Sequence, residues 1–144
     1  MSFDGLFDDL EAHGTVRFIL TGVKVRTPHD VVLVMKHAGH GNTAYLNGRR
    51  KIEADARARS GPLSGADFLE AFIPLFAKTV ITGWEHVAAA DGKPTPATAE
   101  QIEAFLTTLA RKAPDLVEQA LAFAIQPGNF RDTPTASAEA LGNG

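Results

Sequence analysis

The sequence predicts a mainly α fold: a small domain of about four helices, preceded by an N-terminal β-hairpin and followed by a disordered C-terminal tail. Three observations carry this expectation. Apolar residues recur at spacings of three and four from Tyr45 onward, β-branched residues crowd the stretch before Lys36, and the residues after Arg131 have almost nothing to bury. The 144 residues include no Cys, so a single domain must hold together through its core, without disulfides. The expected organisation is one domain over residues 1–131, made of a short helical arm (1–14), a hairpin (15–38) and a helical part (42–130), with a disordered tail over 132–144.

The arm rests on Phe3, Leu6, Phe7 and Leu10, with Asp8, Asp9 and Glu11 on other faces and Gly14 as the stop. A docking arm and a cap on the chain's own core are both open readings. Val16, Phe18, Ile19, Leu20, Val23 and Val25, then turn chemistry at Thr27-Pro28-His29-Asp30, then the run Val31 to Met35, predict two antiparallel strands. A lone hairpin is marginal in water, so it must pack on the helices or pair with another chain.

Gly39-His40-Gly41-Asn42 breaks the pattern. Tyr45, Leu46 and Ile52 then sit among Arg49, Arg50, Lys51, Arg57 and Arg59, which predicts a helix with a basic exposed face. Gly48 weakens its middle by about 1 kcal/mol relative to Ala, which predicts a helix that frays or is ordered only by a partner. Ser64 with Asp67 resembles a capping box, behind which Phe68, Phe72, Phe76 and Val80 run at steps of four, flanked by Leu69, Ile73, Ala77, Ile81 and finally Trp84. Pro74 lies inside this aromatic helix and predicts a kink or restart. Asp91-Gly92, Pro94 and Pro96 turn the chain. Thr98 with Gln101 opens the next helix, whose buried stripe is Ile102, Phe105, Leu106 and Leu109. Pro114 is placed to be the first residue of the last helix, with Leu116, Val117, Ala120, Leu121 and Ala124 facing inward and Pro127-Gly128 ending it.

Net charge is only −3, but residues 15–59 hold nine Lys or Arg against three acids, while residues 60–144 hold five against ten. Such pieces either lie against each other or recruit a charged partner, and nucleic acid is not the expected one. The acidic N-terminus lacks a basic targeting region, and no apolar run approaches the roughly 20 residues that cross a bilayer. The absence of Cys fits a reducing compartment, so a cytosolic protein is expected.

No arrangement of side chains points to catalysis, metal or cofactor. His37 and His40 have no Cys or second His pair to complete a metal set, and read as solvated loop histidines. Asp91 precedes Gly in a turn, where Asp serves the backbone, so it makes no convincing pair with Glu85. Ser60 and Ser64 lie in no nucleophile-elbow pattern, and Gly39 to Asn42 lacks the Lys and spacing of a phosphate loop. The Phe68, Phe72, Phe76 line is most simply core. With Leu69, Ile73 and Trp84 it also carries more apolar face than a small bundle always needs, enough for a groove or a self-association surface.

Gly83-Trp84-Glu85-His86-Val87, then Asp91-Gly92-Lys93-Pro94, then Thr98 leading into an acidic amphipathic helix, form the most distinctive block. With Pro114-Asp115-Leu116, Asn129-Phe130-Arg131 and, upstream, Ala38-Gly39, Asn42 and Ala44-Tyr45-Leu46, this block resembles the small tail assembly chaperones of long-tailed bacteriophages and phage-like particles. The resemblance spans about residues 38–131. It implies a holding chaperone in the host cytoplasm, which keeps the tape measure protein soluble, passes it to the tail tube protein, and is absent from the finished particle. On that reading the partner surface is Phe68, Leu69, Phe72, Ile73, Phe76 and Trp84, with Arg49, Arg50, Lys51, Arg57 and Arg59 attracting acidic stretches. The alternative is a permanent component of a phage or phage-like particle, such as a neck or tail-completion protein.

Overall fold

The computed structural model describes residues 3, 6, 12–59, 61, 63 and 65–131. Alternation builds its first hairpin. In β1 (Thr15–Leu20) Val16, Phe18 and Leu20 are turned inward while Thr15, Arg17 and Ile19 are exposed, the period of two that a strand with one covered face requires. It pairs antiparallel with β2 (Val31–Lys36), Phe18 opposite Leu33 and Leu20 opposite Val31. Val31, Val32, Leu33 and Met35 of β2 are all buried, so its apolar run does not alternate.

Four helices come after the hairpin: α1 (Thr43–Arg59), α2 (Gly65–Thr79), α3 (Ala99–Lys112) and α4 (Pro114–Ile125), the last continued by a 3₁₀ turn over Pro127–Phe130. The expected starts hold at α3, where the Thr98 hydroxyl accepts from Gln101 N–H at 3.2 Å, and at α4, where Pro114 is the first residue. The expected break at Pro74 takes a milder form: α2 is continuous through it. Proline there only deprives the Glu70 carbonyl of the N–H that another residue would donate.

The mainly α expectation is overturned by the stretch after α2. The helix does not run on to Trp84. It ends at Thr79, whose hydroxyl donates back to Leu75 O at 2.7 Å, and the chain becomes β3 (Ile81–Glu85), antiparallel to β2 with Trp84 opposite Leu33. The fold is mixed, with four helices and a three-stranded antiparallel sheet in the order β1-β2-β3. Two forces oppose the helical period here. Val80, Ile81 and Thr82 are β-branched and crowd the preceding turn of a helix, and the free edge of β2 supplies backbone partners, as in Lys36 N–H donating to Val80 O at 2.9 Å.

The sheet and helices share one core that includes Leu33, Met35, Tyr45, Phe76, Ile102 and Val117. Across the other face of β2, Arg17 clamps Glu85 through two hydrogen bonds of 2.7 and 2.8 Å. The bidentate pairing holds the Glu85 carboxyl below its usual range, first through the hydrogen bond and then through charge attraction. Both side chains are largely exposed, so the pair orients β1 and β3 more than it stabilises them.

The junction between β2 and α1 is set by two buried polar residues. Asn42 is the N-cap of α1: its side-chain oxygen accepts from Tyr45 N–H at 3.2 Å, while its amide donates to His37 O at 3.0 Å and to Thr79 O at 2.8 Å. His37 is buried, contrary to the solvated histidine expected there, because its ring packs on Phe130 and its Nε2 donates to Ile125 O at 3.0 Å. Ala38 N–H donates to Ala124 O at 2.8 Å, so the end of β2 satisfies carbonyls of the last turn of α4. Of the expected N-terminal arm, Phe3 and Leu6 are exposed, while Phe7, Leu10 and the acids between lie outside the described residues, as do Ser64 and the tail over 132–144.

Asn42→Ala removes a cap and strands two buried carbonyls, and is expected to lower stability by about 2–4 kcal/mol in chemical denaturation. Asn42→Asp keeps the capping oxygen but faces both carbonyls with an anion. It is expected to be no more stable than Asn42→Ala, and recovery to wild-type stability would refute the shared role of the amide.

Candidate protein-binding groove

Helix α1 turns Tyr45, Ile52 and Ala56 towards the rest of the protein, residues seven and four apart and hence on one face. Gly48 on the same helix is a seat for α2 and no mere weak point: a Cβ there would overlap the Leu75 side chain. Beside this contact, α1, α2 and the end of α4 enclose a hollow of about 470 Å³. Tyr45, Ile52, Phe68, Phe72 and Ile125 give it apolar walls, and Arg49, Glu53 and Arg57 stand around it.

The walls are aromatic and ordered by ring contacts. Phe68 stacks on Phe72 with centroids 4.5 Å apart, and Tyr45 meets Phe76 edge-on at 5.5 Å. Burial pushes the Tyr45 phenol up from its ordinary value of 10.0; Arg49 opposes that shift and Glu53 adds to it. Arg49 leans on Glu53 at 3.5 Å, whereas Arg57 has no acidic partner among the described residues.

The expected partner residues separate into four places. Leu69, Phe72, Ile73 and Phe76 are buried, Phe72 still reaching the groove, and Phe68 stands half-buried at its wall. Arg49 and Arg57 flank the groove, while Arg50, Lys51 and Arg59 are exposed elsewhere on α1. Trp84 is not with the Phe line at all. On β3 it packs edge-on against Phe105 of α3 at 5.6 Å, and its indole N–H donates to Thr95 O at 2.8 Å.

That bond accounts for the most distinctive block of the sequence. Lys93 N–H donates to the Asp91 carboxylate at 3.0 Å, Gly92 takes a φ of 85°, and Thr95 N–H donates to Val87 O at 2.8 Å. The Asp-Gly turn folds the chain back so that Trp84 can hold it to the sheet. Ile125 and Leu63 complete the groove, and neither stood out in the sequence. Ile125, at 39% exposure, ends the stripe of α4, and only the meeting of α4 with α1 gives it a role.

Among the described residues, no three His, Asp or Glu side chains gather to hold a metal ion, and no helix is long and apolar enough to cross a membrane. The arrangement is an apolar slot with Arg49, Glu53 and Arg57 around it. Tyr45 is the only Tyr of the chain, so ultraviolet titration reads it alone. Its midpoint is expected above that of free tyrosine; a normal midpoint would mean an exposed ring and no such wall. Because the folded value is raised, the associated stability is present below the unfolded value and is lost as pH rises through the folded one.

The YdaY prophage protein family matches this chain over residues 41–143, more than half its length, and the chain belongs to that family. No curated protein and no solved structure matches it. The matched residues include β3 and all four helices, and so every wall of the groove; β1 and β2 lie before them.

Proposed function

Starting from this phage-derived family, we propose that the chain is a tail assembly chaperone, which holds apolar helical segments of the tape measure protein until tail tube subunits polymerise around it. The observation that carries the reading is the groove of α1 and α2, an aromatic slot flanked by Arg49 and Arg57. Its walls suit the apolar side chains that a helix presents at spacings of three and four, and its cations suit acidic residues beside them. The resemblance around Trp84 and Asp91-Gly92-Lys93-Pro94 supports the same reading. A chaperone of this kind works in the host cytoplasm and leaves before the particle is complete.

A permanent place in a particle is the second reading. It is favoured by the hairpin, where β1 is an edge strand and Ile19 is 54% exposed on the face away from the helices. Such a component copurifies with finished particles, and a chaperone does not.

Coexpression with the tape measure protein encoded nearby tests the proposal. A soluble complex on size exclusion is expected with the wild-type chain, and an insoluble tape measure protein without it. Arg49→Glu combined with Arg57→Glu is expected to lower the soluble fraction while changing stability by no more than about 1 kcal/mol, since both sites are exposed. Phe72→Asp is expected to unfold the chain, because it puts a charge into the core. No complex with the wild-type chain sinks the chaperone reading.

A further inference from the structure

Among the described residues, ion pairs neutralise little of the chain's uneven charge. The basic middle and the acidic remainder meet in the Arg17–Glu85 pair, but among the described residues Lys51, Arg57 and Arg59 on α1 have no acidic partner, and Glu70, Glu103 and Glu118 have no basic one. Arg59 and Glu70 line one hollow together with Asp67, whereas Arg50 and Lys51 stand apart from the groove of Glu103 and Glu118.

The acids belong to a second and larger groove, of about 910 Å³, where α2 meets α3 and the start of α4. Leu69, Ile73 and Pro74 contribute apolar surface to it, while Glu70, Glu103 and Glu118 stand against a single cation, Arg111. Pro74 adds a feature of its own: it cannot donate the helical hydrogen bond that the Glu70 carbonyl would otherwise accept from that position. The groove therefore suits a helix that brings cations and has low relief.

Such a helix is present in the same chain. On α1, Asn47, Lys51, Ala54 and Ala58 succeed one another at spacings of four, three and four, with Arg50 beside them, and all five are exposed. The small residues leave a shallow ridge that can lie close to a groove, and Arg50 and Lys51 supply charge. This face points away from the aromatic slot lined by Tyr45, Ile52 and Phe68.

We infer that the chain associates head to tail: the outward basic ridge of α1 in one copy seats in the acidic α2–α3–α4 groove of the next. The two surfaces differ, so the contact is heterologous, and repeating it gives rings or open chains instead of a two-fold dimer. The inference does not rest on the chaperone reading, since it uses neither the aromatic slot nor any partner protein.

Sedimentation velocity on the full chain tests it. At low salt the sedimentation coefficient is expected to rise with protein concentration, and to fall to the monomer value in about 1 M salt, where the screening length is roughly 3 Å. Arg50→Glu with Lys51→Glu, and separately Glu103→Lys with Glu118→Lys, are each expected to be monomeric. Mixed one to one they regain opposite charges across the contact, and assembly is expected to return. Mere damage to the fold would not be repaired by mixing, so restoration isolates the charge contact. A wild-type chain that stays monomeric at low salt, assembly that ignores both pairs of substitutions, or a mixture that stays monomeric would overturn the inference.

Discussion

Three elements of this fold end or begin at a single side-chain amide. Asn42 accepts from the first turn of α1, and donates to the carbonyls of His37 after β2 and Thr79 at the end of α2. The arrangement reflects a general requirement: helix and strand termini carry unpaired backbone groups, and any of these that are buried must find partners. Only a primary amide of this length offers an acceptor and two donors together. With Asn42 in place, the end of α2 is fixed against the end of β2, and the next residues, Val80 and Ile81, are delivered to the free edge of that strand. The third strand is thus a consequence of where α2 stops.

This is also why the sheet was only partly legible in the sequence. β1 and β2 announced themselves through β-branched and alternating residues, and Thr98 and Pro114 marked two helix starts, because each of those signals is local. β3 was hidden behind one that is equally local. Phe68, Phe72, Phe76 and Val80 continue a helical period across the true boundary, and Val80 is buried whichever element it joins. Its state is decided by β2, tens of residues earlier. Trp84 was misplaced for the same reason, yet its link to Asp91-Gly92 was visible as a block and proves to be a physical one, joined by the bond to Thr95.

The groove was legible residue by residue and not as a site. The apolar line on α2 and the cations on α1 were both apparent, but periodicity reports only that a face is covered, not by what. Gly48 carried the missing information. Read along one helix it is a weakness of about 1 kcal/mol; set against Leu75 it is the point where two helices approach closely. That approach puts Tyr45 and Ile52 beside Phe68 and Phe72 and leaves Arg49 and Arg57 standing at the sides.

Helix α2 then separates two hollows of opposite character. On one side lies the aromatic slot with Arg49 and Arg57; on the other is the groove of Glu70, Glu103 and Glu118. The small net charge of −3 thus conceals an uneven surface: Arg49 and Arg57 stand beside the slot with Glu53, and Arg111 is the one cation on the wall of the acidic groove. One helix can serve both because its inward residues are almost wholly apolar, leaving its edges to be set by what α1 and α3 bring. Pro74 fits the same logic. It lies half-buried on the wall of the acidic groove, and α2 runs through it unbroken.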